Sequence, residues 1–503
     1  MSRKIKVMFS THGLVEGDFG FLLDEKGFPT SQVIKKDVIT GQDTGGQVYY
    51  VKALANNSDL YDVDLVTRRV DPRICPQFGG EEKNLGKDIN YTVEEQWHSN
   101  DIIRSRVLRV PAGGHFEFVP KEEIVPYLDE LVDNLIKFYK TRGELNKIEV
   151  VEGHYRDGML AADKLCSAIE KELGYRPVML VTSHSLGHKK YERNLPQYQQ
   201  GLISEDEWKW HNFEDRIKHE KYAFDVADVI IATSPDEERR LSKEPYLTDI
   251  NKVTVIPPGY NDSIFKPIPP QERQKQRHQF KYVNLDGKVV SFDLMGKKVV
   301  SSLGRVVRDK GYSELSRSML EVMKNDPDVV YMVSGEKNNP VTEECMSILK
   351  DVQDRVIFLP SLNQQQMAEI YNMSEIFVMS SLNEAFGMVP IEAMGCKTAV
   401  IVGRSGFNDY AKCADIRDDS IDFSKEIGIY APSQEVDRWR QVKALKLLLE
   451  NEALRKQMAE NGYKFVKENL TWKGISDQKE KLVQKVLKKK IQINFAPIRK
   501  GRE

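Results

Sequence analysis

The stretch IFVMSSLNEAFGMVPIE, Ile376 to Glu392, holds one β/α unit in miniature. Its apolar start shows no polar alternation, which suits a strand buried on both faces of a parallel sheet. A polar loop follows, with Gly387 near the start of the next helix. Glu384 and Glu392 are eight positions apart, so the first lies in the loop and the second a turn or more into the helix. Each carboxylate accepts hydrogen bonds, and together they suit the hydroxyls of one sugar-bearing ligand. Any Glu pair also reads as a solvated helix surface, but the flanking Phe386-Gly387 makes this spacing more specific than a bare pair.

Working outward, the same unit recurs. Apolar, β-rich runs begin at Lys4, Val63, Arg106, Glu149, Val178, Val229 and Val253 in the first half. In the second they begin at Lys297, Val329, Arg355, Ile376, Ala399 and Ile427. Amphipathic stretches lie between them. In EEIVPYLDELVDNLIKFY, Ile124, Leu128, Leu131, Leu135 and Phe138 recur at helical spacing. Alternating β and α units predict doubly wound parallel sheets. The series breaks near residue 260 at a polar, proline-bearing segment and then restarts. The expected fold is α/β, with two Rossmann-like doubly wound domains facing each other across a cleft. The expected domains are 1–258 and 259–471, with a C-terminal helical stretch, 472–503, turning back onto the first. Ligands of such sheets sit beyond the carboxyl ends of the strands.

The chain has 503 residues, too many for one ordinary core. Lys plus Arg total 74 against 76 for Asp plus Glu, a balance with no electrostatic footprint for nucleic acid or an anionic membrane. Five cysteines without a CxxC pair argue against a disulfide framework or a structural zinc site. The start lacks a signal-peptide core, and no run of about 18 apolar residues exists. A soluble, cytoplasmic enzyme is expected. The basic end, KVLKKKIQINFAPIRKGRE, reads as a solvated helix and tail.

Other stretches carry chemistry. Thr44-Gly45-Gly46-Gln47 precedes a helical pattern, where glycine amides and a helix N-terminus suit an anion; an ordinary loop is the plainer alternative. Arg305 and Lys310 flank a turn at a strand's carboxyl end, where a guanidinium fork and an ammonium suit a diphosphate. His184-Ser185-Leu186-Gly187 and His154 end two further strands. Neither histidine has metal-ligand spacing, and no bound metal is expected. Lys121, Lys190 and Arg216, taken alone, read as surface cations. There is neither GxGxxG nor GxxxxGK[ST], which disfavours a dinucleotide dehydrogenase or a Walker NTPase.

Together these motifs resemble the retaining glycosyltransferases of the GT-B fold, specifically the sucrose-phosphate synthase and sucrose synthase group. The resemblance rests on Glu384-x7-Glu392, Arg305-x4-Lys310, TGGQ, GGQVYYVK, VTRRV, VPKEEIVPYLDE, GHYRDG, SHSLGHKK and IPPG, in family order from about residue 40 to 395. It implies that Arg305 and Lys310 hold the donor diphosphate, Glu392 the donor ribose and Glu384 the donor hexose. Gly46 meets the donor phosphates, and His184 lies near the transferred sugar. On the acceptor side it implies Gly45, Gln47, Lys121, Ser185, Lys190 and Arg216, the surroundings of fructose 6-phosphate. Lys190 and Arg216 point to a phosphorylated acceptor, since free fructose needs no cationic partner.

The resemblance thus implies transfer of a hexose from a nucleotide sugar, UDP-glucose first, to fructose 6-phosphate, giving sucrose 6-phosphate. No cofactor beyond the nucleotide-sugar cosubstrate is implied, and the partners are small molecules, with a separate phosphatase to use the product. The chain departs from the family pattern at GCKTAVIVG and at SGFNDY, Ser405 to Tyr410, and in an insert at roughly 13–41. These leave open a mannosyl donor, a GDP- or ADP-hexose, or an acceptor such as a sugar phosphoglycerate. A sugar-nucleotide epimerase and a non-catalytic nucleotide-sugar sensor are the rivals of another class.

Overall fold

The computed structural model describes residues 3–11, 21–23, 29–33, 46–70, 93–99, 104–114, 117 and 119–494. The chain divides into two compact units. The first comprises Met1–Thr233, Glu237–Ile256 and Ser476–Glu503, and the second Ser234–Asp236 and Pro257–Ile475.

The first unit is built on an eight-stranded sheet. Its spatial order is Val253–Val255, Val229–Ala232, Val178–Thr182, Ile148–His154, Lys4–Phe9, Tyr61–Arg68, Arg104–Val110 and Glu94–Ser99. All neighbours are parallel except the last pair. Every apolar run anticipated in this half forms a strand. The runs are continuous because helices cover both faces, as parallel crossovers demand. Val7, Phe9, Val151 and Val181 are buried in one core with Leu131 and Leu135 of helix Leu128–Thr141. That helix starts later than the hydrophobic period suggests. Val125–Tyr127 is a separate 3₁₀ turn, because Pro126 donates no backbone hydrogen bond.

The second unit carries a wholly parallel sheet of seven strands. Their order is Val356–Leu359, Val329–Ser334, Lys298–Ser302, Ile376–Met379, Ala399–Val402, Ile429–Tyr430 and Ala414–Asp415. The polar segment after Gly259 contains helix Pro270–His278 and an antiparallel hairpin, Phe280–Val283 with Val289–Phe292. The helix Trp472–Asn494 closes the described chain.

In each sheet the strand order reverses once. In the first unit the chain leaves Lys4–Phe9 in one direction and later builds outward from Ile148–His154 in the other. In the second the reversal lies between Lys298–Ser302 and Ile376–Met379. Crossover loops leave a crevice at such points, beyond the carboxyl ends of the strands. The candidate residues cluster at these two ends.

Candidate active site

In the second unit, the loop after Lys298–Ser302 is stitched to the loop after Ile376–Met379. Ser380 Oγ donates to the Lys310 carbonyl at 2.6 Å, and Leu382 N–H donates to the Asp309 carbonyl at 2.8 Å. Gly311 makes this approach possible. Its φ is +67°, and a Cβ there would lie 2.2 Å from the Ser380 carbonyl oxygen. The 3₁₀ turn Arg308–Lys310 therefore presses against the neighbouring loop and aims Lys310 at Glu384. The two form an ion pair, and Ser381 Oγ also lies 3.4 Å from the same carboxylate. Burial alone raises the Glu384 carboxyl pKa, but Lys310 and then Arg305 outweigh it and hold the group below the usual range. Arg305 itself is exposed, on the loop that precedes this turn.

Glu392 occupies the first turn of helix Val389–Gly395. It is buried, and its Oε2 has no hydrogen-bond partner among the described residues. Burial pushes its carboxyl up to about 7. A buried acceptor left unpaired costs roughly 1–3 kcal/mol, so a ligand hydroxyl reaching it gains that much in binding. Gly387, at φ +95°, sets the loop between the glutamates; a Cβ there would meet Met379 Sδ at 2.7 Å.

The atypical segment from Ser405 is tied to the same loop. Glu384 N–H donates to the Arg404 carbonyl at 3.0 Å, and Gly406 N–H donates to the Glu384 carbonyl at 3.2 Å. Ser405 caps the short helix Gly406–Ala411, accepting from Asn408 N–H. Phe407 packs edge-on to Phe386 at 5.8 Å between centroids. The departure in sequence thus reaches Glu384 through backbone hydrogen bonds.

In the first unit, Ile148–His154 runs directly into helix Tyr155–Leu173. Gly158 lets that helix approach its sheet, since a Cβ there would lie 2.8 Å from the Phe9 carbonyl oxygen. Tyr155 turns the corner at φ +65°, and His184, after Val178–Thr182, has φ +57°. Such conformations are uncommon for residues with a Cβ and concentrate at functional sites. His154 Nδ1 and His184 Nε2 are 2.9 Å apart, and Tyr50 lies edge-on to both rings.

The Tyr155 hydroxyl is the meeting point of two cations. Arg216 Nη1 donates to it at 2.6 Å and Lys190 Nζ at 3.2 Å. Arg216 also donates to Glu220 at 2.8 Å and to the Ser185 carbonyl. Gly187 makes room for this side chain, whose Cγ and guanidinium Nε would lie 3.0 and 3.1 Å from an added Cβ. Burial pulls the Lys190 ammonium well below its usual pKa, and Arg216 and Lys121 push it further down. Lys121 pairs with Glu122 at 3.8 Å, and Arg156 holds its carbonyl at 2.5 Å.

The surface reading of these cations is therefore corrected for Arg216, which is buried at 5% exposure. Glu220, four residues on along the same helix, compensates it together with Tyr155 and the Ser185 carbonyl, and sequence distance conceals the last two. Gly45 lies outside the described residues. Gly46 and Gln47 are the first two residues of helix Gly46–Ala55.

One cluster had no forecast. Glu152, fully buried, lies 2.6 Å from Lys6 Nζ and also pairs with Lys479 of the last helix. Its Oε1 is 3.3 Å from His154 Nε2. Burial raises the Glu152 carboxyl, but Lys479, Lys6 and His154 outweigh it and keep the group ionised. Among the described residues no helix is long and apolar enough to cross a membrane.

Residues 290–465 match the family described as "Glycosyl transferases group 1". The chain is 31% identical over 373 residues to mannosylfructose-phosphate synthase of Agrobacterium fabrum, covering 72% of this chain and 71% of that protein. It is 29% identical over 392 residues to a probable sucrose-phosphate synthase of Thermosipho melanesiensis, covering 75% and 80%. Among solved structures, the sucrose-phosphate synthase of Thermosynechococcus elongatus aligns with 97% of this chain and 100% of its own, with a TM-score of 0.65 and 22% identity. The last likeness is one of fold.

Proposed function

The chain belongs to the group 1 glycosyltransferases of the GT-B fold, and from that membership we propose that it moves a hexose from a nucleotide sugar to a phosphorylated sugar, with retention at the anomeric carbon. The observation that carries the acceptor half is the convergence of Lys190 and Arg216 on Tyr155, with Lys121 close enough to perturb Lys190. A neutral sugar has no use for that much positive charge, whereas a phosphomonoester matches it in charge and in donor geometry.

The donor half rests on Lys310, Arg305, Glu384 and Glu392. Lys310 and Arg305 take the diphosphate, Glu392 accepts from the ribose, and Glu384 accepts from the hexose. The diphosphate charge is neutralised by these side chains rather than by a divalent metal. Each charge-assisted hydrogen bond is worth about 1.5–3 kcal/mol. The C1–O bond to the diphosphate breaks with its electron pair going to the leaving phosphate. The acceptor hydroxyl bonds to C1 on the same face, and its proton passes to a departing phosphate oxygen. No protein base is required, and among the described residues the site contains no clear nucleophile.

UDP-glucose and fructose 6-phosphate, giving sucrose 6-phosphate, are the favoured pair. The 31% identity to a mannosylfructose-phosphate synthase supports a second reading, a mannosyl donor such as GDP-mannose with the same acceptor. Either product is a phosphomonoester and requires a phosphatase activity to release the free disaccharide. Membership sets aside the epimerase and dehydrogenase readings. Products formed from UDP-glucose, GDP-mannose and ADP-glucose with fructose 6-phosphate, identified by mass and by the anomeric proton coupling, test the proposal. An α-linked disaccharide phosphate from one donor supports it. An inverted linkage, or hexose released only to water, overturns it.

A further inference from the structure

The first two residues of helix Tyr155–Leu173 between them hold all three candidate acceptor cations. Tyr155 takes Arg216 and Lys190 on its hydroxyl. Arg156 reaches the third through the main chain. Its Nη2 donates to the Lys121 carbonyl at 2.5 Å and to the Glu122 carbonyl at 3.2 Å. The segments so gathered are distant in sequence. Lys121 lies 35 residues before Arg156, and Arg216 lies 61 residues after Tyr155.

Arg156 is 4% exposed. Among the described residues no carboxylate pairs with it, and its Nε has no hydrogen-bond partner. Taking a guanidinium out of water without an opposite charge is unfavourable, and here only carbonyl oxygens offset it. A purely structural contact gains nothing from such a charge that an apolar side chain of similar volume would not supply. What the guanidinium does supply is short, directional bonds that fix the backbone at Lys121 and Glu122. The other tie to this segment is at the surface, where Trp210 Nε1 donates to Glu123 Oε1 at 3.3 Å. The Lys121 ammonium bears on both partners of the phosphate cluster. Burial, Arg216 and Lys121 together lower Lys190, and burial raises the Tyr155 phenol while Arg216 and Lys121 oppose it.

We propose that Arg156 is a positioning residue for acceptor specificity: by tying back the carbonyls of Lys121 and Glu122 it holds the Lys121 ammonium at the site where Lys190 and Arg216 converge, so that a sugar phosphate meets three cations and not two. This rests on the acceptor reading above, in which these cations take the phosphate. Arg156 touches no substrate and acts only through Lys121. Its loss therefore weakens the phosphorylated acceptor, spares the donor, and has no further effect once the Lys121 ammonium is gone. Tyr155 directly, and Arg156 through the main chain, make the start of one helix the common anchor of the phosphate cluster.

The test is a double-mutant cycle on the full-length protein, read by calorimetric binding of fructose 6-phosphate and by steady-state kinetics with the preferred donor. Arg156→Met keeps an unbranched stem and removes the donors. It is expected to weaken fructose 6-phosphate binding at least about fivefold, with a matching rise in the acceptor KM. Its kcat should stay within about threefold of the parental value and its donor KM within about twofold. Lys121→Ala should weaken binding at least as much, and the double variant should bind within about twofold of Lys121→Ala alone. An additive loss in the double variant, or parental binding in a folded Arg156→Met, overturns the proposal. The second arm needs no substrate. Glu123 N–H donates to the Pro120 carbonyl at 2.9 Å within this segment. Hydrogen exchange of the peptide spanning 119–124 should quicken at least about tenfold in Arg156→Met, and exchange at the parental rate overturns the proposal too. Should Arg156→Met not fold, Arg156→Gln, which keeps an amide nitrogen in place of Nε and nothing in place of Nη2, carries both arms with the same expected directions. A parental protein that binds no sugar phosphate counts against the acceptor reading alone, and the exchange arm then still decides whether Arg156 holds this segment.

Discussion

Lys310 and Glu384, 74 residues apart in sequence, form an ion pair where the two strand-end loops of the second unit meet. On the proposed reading, a ligand carrying both a diphosphate and a hexose replaces this pair, one group for each partner. The two side chains are 21% and 26% exposed, so the pair is only partly shielded from water.

Lys310→Ala should therefore lose transition-state stabilisation rather than acceptor affinity. The expected fall in kcat is about 10²–10³, equal with phosphorylated and unphosphorylated acceptors. A chelator should leave the parental rate unchanged if, as proposed, the leaving charge falls on side chains. Initial rates with and without EDTA check both points.

Glu392 makes a pH-dependent prediction. Its carboxyl lies at about 7 in the folded protein against 4.5 for an ordinary glutamate. The folded state favours the protonated form, so this contribution to stability is fully present below about pH 4.5 and is lost as pH rises through 7. At about 1.36 kcal/mol per pH unit, the difference is worth roughly 3 kcal/mol. Melting temperature against pH should flatten over this window in Glu392→Gln. Ribose hydroxyls donating to the carboxylate lower its pKa, so nucleotide binding near pH 6.5 should release a proton. Calorimetry in two buffers of different ionisation enthalpy reads that release.

Arg216→Ala removes one of the two cations on Tyr155 and leaves Glu220 without its cationic partner, with only Gly187 N–H and the Tyr246 hydroxyl still donating to it. The KM for the phosphorylated acceptor should rise at least about 30-fold, given roughly 2 kcal/mol or more for a charged bond to phosphate. The KM for the donor should change little. Arg216→Lys should not restore the loss, because one ammonium cannot reach Tyr155, Glu220 and the Ser185 carbonyl together. Steady-state kinetics with each substrate varied separately check this, alongside thermal melts to confirm folding.

The two glycines Gly311 and Gly296 separate close approach from backbone strain. Both have positive φ, +67° and +73°, but only Gly311 has a neighbour where a Cβ would stand. Gly296→Ala should cost about 1–2 kcal/mol, the left-handed penalty alone. Gly311→Ala should cost more than that and weaken donor binding, because the Lys310 turn must move off Ser380. Thermal unfolding of the two variants gives the comparison.

The sheets were legible because parallel strands are continuous apolar runs, and their ends are marked by the residues that end the run. Arg305, His184 and Glu384 all stand within a few residues of such ends. The hairpin Phe280–Phe292 went unseen because its strands are four residues each, although Asp286-Gly287 is a hairpin-turn signal. The buried charges were hidden for a different reason. Lys6 and Lys479 look like solvated cations in their own neighbourhoods, and their shared partner Glu152 is 327 residues from Lys479. Only the fold brings them together. Arg216 was illegible in the same way, since its compensation by Tyr155 and the Ser185 carbonyl is tertiary.

The central claim is that the acceptor carries a phosphate, and it is tested most directly by the rate of nucleotide release from the preferred donor with fructose 6-phosphate against fructose at equal concentration. The predicted result is release that depends on fructose 6-phosphate, exceeds that with fructose at least about 100-fold, and loses this preference in Arg216→Ala. Equal or faster release with fructose, unaffected by Arg216→Ala, would contradict it.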